Sequence, residues 1–264
     1  MKELGYKDEM LVVGEFFHLW VIEGPEWIKE EFPVHLTDLQ TIVVDDMAPY
    51  RTRKVRILNG AHTAMTPVAY LYGLNTVAEA VEDETIGMFI KELIFEEIIP
   101  TLDLPPEELK PFANAVLERF QNPFIQHFLL SISLNSVSKY KTRDLPSLIE
   151  HYERKHKLPK KLVFSLAALF AFYKGERGSE SIALSDEEEI LRLFEEQWSK
   201  YDGSYDRIKT IAFNLLNCEA CWGKNLNEIP GLTEAVAQDL FAIETKGMKQ
   251  AVAKTLGQQT ERGI

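Results

Sequence analysis

The chain has 264 residues, 45% of them hydrophobic, enough for one large or two modest domains around a packed core and too apolar for a disordered segment. Its formal charge of −12 gives a surface that repels phosphate backbones and argues against nucleic acid as a partner. No uninterrupted run of ~18 apolar residues occurs, so no membrane span is expected, and no basic-then-apolar leader opens the sequence.

Residues 1–48 read as strands and turns. Met10-Leu11-Val12-Val13, Phe16 to Ile22 and Leu39 to Val44 are rich in β-branched and aromatic residues, and Gly14 and Gly24-Pro25 punctuate them. Such pieces need a larger sheet or a helix to pack on. From Pro49 the periodicity becomes helical, with Asp45 or Asp46 as cap and a break expected near Pro67 or Gly73. Helical stretches follow over Thr76 to Ile99, with an interruption at Glu82-Asp83-Glu84, and over Glu107 to Phe120. Asn122-Pro123 is expected to open a helix through Ser138, with Asn122 as its cap. Leu162 to Tyr173 is apolar but too short to span a bilayer, so it reads as a buried core helix. Glu176 to Ser185 reads as a surface loop. Amphipathic helices are expected over Asp186 to Tyr201 and Asp206 to Leu216, with one long helix from Thr233 to Leu256.

The stretch richest in chemistry is Lys54 to His62, which holds a lysine, an asparagine five residues later and a histidine eight residues later. At ~100° per residue of an α-helix, Asn59 lies ~140° and His62 ~80° from Lys54, so all three project from one side. Asn59 and His62 form an i,i+3 pair. A lysine moves a proton once its surroundings lower its pKa, and a carboxamide with an imidazole can hold an oxygen that changes charge. Spacing alone is equally that of an ordinary amphipathic helix.

The wording Lys54-Val-Arg-Ile-Leu-Asn59-Gly-Ala-His62 resembles the K-x-x-x-x-N-x-x-H signature of the polyol-specific long-chain (mannitol) dehydrogenases, nearest to their hexuronate-reducing branch. The similarity continues through Glu96-Glu97-Ile98-Ile99-Pro100, Arg119-Phe120-Gln121-Asn122-Pro123 and Ala167 to Arg177, and ends at Ile229-Pro230-Gly231-Leu232. The resemblance implies a mainly α fold: a multi-helical catalytic domain over 49–264, preceded over 1–48 by a β remnant of a Rossmann-like NAD-binding domain. It implies Lys54 as the proton-transfer lysine and Asn59 and His62 as the groups on the reacting oxygen. The implied activity is NAD-dependent interconversion of D-tagaturonate and D-altronate in the cytoplasm. Fructuronate or mannitol specificity, and a non-catalytic helical module, are the alternatives.

No G-x-G-x-x-G loop occurs in the sequence, so the NAD site is expected mostly outside this chain. Glu15, in an E-x-F-x-x-W block, would line its edge. The expected partners are a sugar acid and either the missing nucleotide domain or a second copy of the chain, because the strands of residues 1–40 would leave unpaired edges. Lys139 and Arg143 stand four apart, on one face if helical. The family has a similar K-x-x-x-R arrangement, and a bidentate arginine suits a substrate carboxylate. The alternative is a solvated basic helix end. Lys141 is expected to face water in either case. Cys218 and Cys221 form a C-x-x-C pair with no second pair and no thioredoxin-like strand, which argues against a zinc or redox role. Low cysteine use fits a reducing cytoplasm. His18, His35, His127, His151 and His156 lack zinc spacing, so no metal is expected.

Overall fold

The computed structural model describes residues 5, 6, 9, 10, 18–122, 124 and 126–258. Glu15 and the expected strand at Leu11-Val12-Val13 lie outside the described residues. The chain divides into two units, Met1–Arg51 and Thr52–Ile264.

In the first unit, Trp20–Glu23 pairs in parallel with Thr41–Val44, with Trp20 opposite Thr41 and Glu23 opposite Val44. The short helix Ile28–Glu31 lies between them in sequence. At Gly24, which follows the first strand, an added Cβ would sit 2.2 Å from Ile28 Cδ1. That turn is filled by a side chain.

The second unit is helical, and its first helix begins in the last residues of the first unit. Ala48–Arg53 runs without a break into a π-helical segment, Lys54–Gly60, and on into Ala61–Tyr72. The run passes through Pro67 and ends at Gly73, whose φ of 117° is left-handed. An internal proline costs ~3 kcal/mol. Here Ala64, Met65, Val68 and Ala69 are all completely buried, and that packing outweighs the lost bond. Thr76 and Glu79 form a reciprocal capping box on Val77–Glu82. Asp83 ends that helix and caps Glu84–Glu92 by accepting from the amides of Thr85 and Ile86 at 3.0 and 2.9 Å.

Lys160–Phe172 is the central helix, buried throughout beyond its first residue, and it packs against Ala61–Tyr72 and Leu232–Lys246. Pro159 gives its start no side-chain cap. A second π-helical segment, Leu93–Ile98, brings Glu97 to that start instead. The Glu97 carboxylate accepts from the amides of Lys161 and Leu162 at 2.9 to 3.0 Å, while Lys161 Nζ bridges Glu92 and Glu96 at 2.8 Å each.

Three expectations are corrected. Among the described residues no helix starts at Asn122: its side chain accepts from the Phe124 amide (3.0 Å), a local turn that competes with helix. Helix resumes only at Leu129–Ile132 and Ser136–Arg143. The last long helix breaks at Gly247, where φ is 79°, into Leu232–Lys246 and Met248–Thr255. Residues 176–185 contain a small hairpin, Glu176–Arg177 against Glu180–Ser181. Cys218, which caps the short helix Glu219–Trp222, is joined by a disulfide to Cys221 within it. No described helix is long and apolar enough to cross a membrane.

Candidate active site

Lys54 and Asn59 open and nearly close the π-helical segment. A π turn bonds residues five apart, wider than the α geometry assumed from spacing, and so brings an i,i+5 pair closer to one line. The Lys54 side chain is exposed, Asn59 and His62 are half-buried, and Gly60 is buried. The His62 ring is stacked on Phe120, with centroids 4.1 Å apart and planes at 20°, and meets the His127 ring edge-on at 5.0 Å. Its Nε2 is buried without a hydrogen-bond partner among the described residues.

The electrostatics of His62 define the site. Burial foremost, then the charges of His127, Arg143, Arg119 and Lys54, push its pKa down to about 3. The largest charges acting on His62 are all basic. The imidazole is therefore neutral at ordinary pH, with one nitrogen able to donate and the other to accept. Burial also lowers the pKa of His127.

Arg143 reaches this cluster from the last turn of Ser136–Arg143, donating to Thr63 Oγ1 (3.1 Å) on the turn that carries His62. Burial lowers its pKa, and Asp144 opposes that. Lys139 stands beside Arg143 but donates to the Ile132 carbonyl at 2.8 Å; burial and then Arg143 lower its pKa, while Asp186 raises it. Lys141 is half-buried and donates to the Ala220 carbonyl at 3.4 Å, which corrects the expectation that it faces water. The fold thus gathers Lys54, Asn59, His62 and Arg143 at one place, with Lys139 next to Arg143.

Arg119, Phe120 and His127 belong to the cluster and were missed as site residues. Arg119-Phe120 stood in the sequence as part of a motif shared with the family and as a helix end, with no role assigned, and His127 lacks any periodic relation to Lys54. Their neighbourhood arises from the packing of Pro106–Phe120 and the following loop on the Lys54 run.

The matching family model is the mannitol dehydrogenase C-terminal domain, over residues 46–244. The chain belongs to the mannitol dehydrogenase C-terminal domain family. It is 51% identical over 250 residues to altronate oxidoreductase of Bacillus subtilis (strain 168), covering 95% of this chain and 50% of that protein. It is 46% identical over 251 residues to altronate oxidoreductase of Escherichia coli O6:K15:H31, covering 95% and 52%. Pseudomonas fluorescens mannitol 2-dehydrogenase, solved as a ternary complex with NAD and D-mannitol, superposes with a TM-score of 0.75 at 20% identity, covering 92% of this chain and 47% of that one. A substrate-free D-sorbitol dehydrogenase gives 0.69, also at 20% identity, covering 95% and 50%. The chain therefore spans about half the length of the relatives it matches, within a family of oxidoreductases.

The turn after the first parallel strand does not fit a pyrophosphate: Ile28 closes on Gly24, and the four-residue helix that follows carries Glu30 and Glu31 in its first turn. Among the described residues no group of three or more His, Cys, Asp or Glu is placed to hold a metal ion.

Proposed function

We propose that this chain is the substrate-binding and proton-handling half of an NAD-dependent oxidoreductase that interconverts D-tagaturonate and D-altronate. The observation that carries the reading is the basic cluster of His127, Arg143, Arg119 and Lys54 around a neutral, half-buried His62. In a chain of formal charge −12, such a cluster is suited to an anionic substrate. Altronate and tagaturonate carry one carboxylate, whereas mannitol carries none. The names of the relatives at 51% and 46% identity support the same choice.

In this reading the Lys54 amine takes the alcohol proton as the carbonyl forms and returns it in the reverse direction. The Asn59 carboxamide and the neutral His62 imidazole hydrogen-bond the oxygen whose charge changes. The Arg143 guanidinium pairs with the substrate carboxylate, and Lys139 adds positive charge beside it. NAD as redox partner rests on the resemblance and on the solved relative, and its site lies mostly outside this chain. Residues 1–48 are the end of the nucleotide domain, and 49–264 are the catalytic domain. Low cysteine use supports a cytoplasmic setting.

Titration of D-altronate, D-mannonate and D-mannitol into the chain, followed by the His62 and His127 ring resonances, tests the reading. D-Altronate should shift both rings at the lowest concentration. Equal responses to D-altronate and D-mannitol, or none, would overturn it.

A further inference from the structure

The Lys54 run and the segment around Arg143 are tied at three places, in antiparallel order. Arg56 donates to Ser147 Oγ at 2.9 Å. Gly60 faces Asp144, where an ideal Cβ on the glycine would lie 2.8 Å from Asp144 Oδ1 and 3.6 Å from the Arg143 carbonyl oxygen. Thr63 Oγ1 accepts from Arg143 at 3.1 Å. Residues 56, 60 and 63 follow helical spacing, so the three ties share one face, while Asn59 and His62 lie beside it.

The middle tie is unusual. Asp144 is completely buried, and neither of its carboxyl oxygens has a hydrogen-bond partner among the described residues. The charges acting on it are Arg143 and Arg56, both of which hold its pKa down against a larger upward push from burial. A buried carboxyl without partners is costly, and a helix cap does not account for it, because the side chain makes no capping bond to Leu145–Lys155. Its oxygen instead occupies the space that any side chain at position 60 would need.

We infer that Asp144 is a positioning residue: seated on Gly60 between Arg56 and Arg143, it sets the register of the Asn59–His62 turn against the Arg143 guanidinium. That register fixes the span between the groups that hold the reacting oxygen and the group that holds the carboxylate. It therefore selects sugar acids by the number of carbons between the two. The inference rests on the proposed function for the identity of the ligand, but not for the geometry.

The test uses the 264-residue chain and the variants Gly60→Ala, Asp144→Asn, Asp144→Ala and Gly60→Ala/Asp144→Ala. Each is read by the His62 ring resonances and by the Kd for D-altronate. Asp144→Asn keeps the shape of the seat and should leave the His62 signals in place. Gly60→Ala overfills the seat; it should move the His62 signals and weaken D-altronate binding by roughly tenfold or more. Asp144→Ala in that background vacates the space and should bring the signals back and recover most of the affinity. A purely structural contact would alter the amount of folded protein and leave the His62 signals and the Kd of the folded fraction in place. Unmoved His62 signals in Gly60→Ala, or a double variant no better than the single one, would overturn the inference. If the unsubstituted chain fails to bind D-altronate, the functional reading falls, and the His62 signals alone decide the positioning role.

Discussion

At the residue scale, Lys54 and His62 show how differently two groups on one helical run are prepared. Lys54 is exposed at the opening of the π segment, so in the assembled enzyme bound substrate must supply much of its surroundings. Lys54→Met keeps an unbranched stem and removes the proton carrier. In the enzyme assembled with the other half of the Bacillus subtilis relative, turnover should fall by a factor on the order of 10² to 10⁴ with KM little changed. Near-normal kcat would remove Lys54 from the chemistry. His62 is prepared in advance by burial and by basic neighbours. With its pKa near 3, its ring signals should not titrate between about pH 5 and pH 8, whereas an unperturbed histidine titrates near ~6.5. The linkage follows from the sign of the shift. The folded form binds this proton more weakly than the unfolded form, so the contribution of His62 to stability is full above about 6.5 and is lost as pH falls toward 3. A midpoint near 6.5 for His62 in an NMR titration would contradict the described surroundings.

At the element scale, the two π-helical segments do separate work. Lys54–Gly60 aligns the chemical groups, and Leu93–Ile98 carries Glu97 under the central helix. Glu97 is buried, and desolvation raises its pKa against the opposing pull of the amides of Lys161 and Leu162. Its bonds satisfy two of the orphan donors that Pro159 leaves at the start of Lys160–Phe172. Glu97→Ala strands those amides away from water and should cost on the order of 1 to 3 kcal/mol. Chemical denaturation would show this as a lower midpoint at unchanged slope. A midpoint equal to that of the parent chain would mean that water replaces the cap at no cost.

At the scale of the whole molecule, pH acts through groups far from the candidate site. Asp239 lines a cavity of about 340 Å³ with Leu158, Lys160, Val163 and Lys254. Burial raises its pKa from 3.8 to about 7, opposed by Lys254. A raised carboxyl binds its proton more tightly in the fold, so its favourable share is complete below about 4 and is lost as pH climbs through about 7. Asp239→Asn removes this dependence. The variant should gain on the parent by on the order of 1 to 4 kcal/mol between about pH 4 and pH 8. Thermal melts at both ends of that range, showing a constant difference between the two proteins, would refute it. The chain by itself should also bind NADH weakly or not at all, because no glycine-rich phosphate loop of the G-x-G-x-x-G type occurs in it. Micromolar affinity by calorimetry would contradict that.

The sequence alone determined the class of fold, the change from β-branched blocks to helical periodicity near Pro49, the buried helix at Leu162 to Tyr173 and the family. It did so because each rests on local composition or on a contiguous motif. Lys54, Asn59 and His62 were legible for the same reason: they lie within nine residues on one turn-forming stretch. Arg119, Phe120 and His127 were not, because only the packing of a distant helix end and loop brings them to His62. The π geometry was hidden as well, since spacing counted at ~100° per residue assumes the α turn that tertiary packing replaced here. Asp144 read as nothing more than the residue after Arg143. Its place over Gly60 exists only once two helices 84 positions apart in the chain close on each other, which no local pattern encodes.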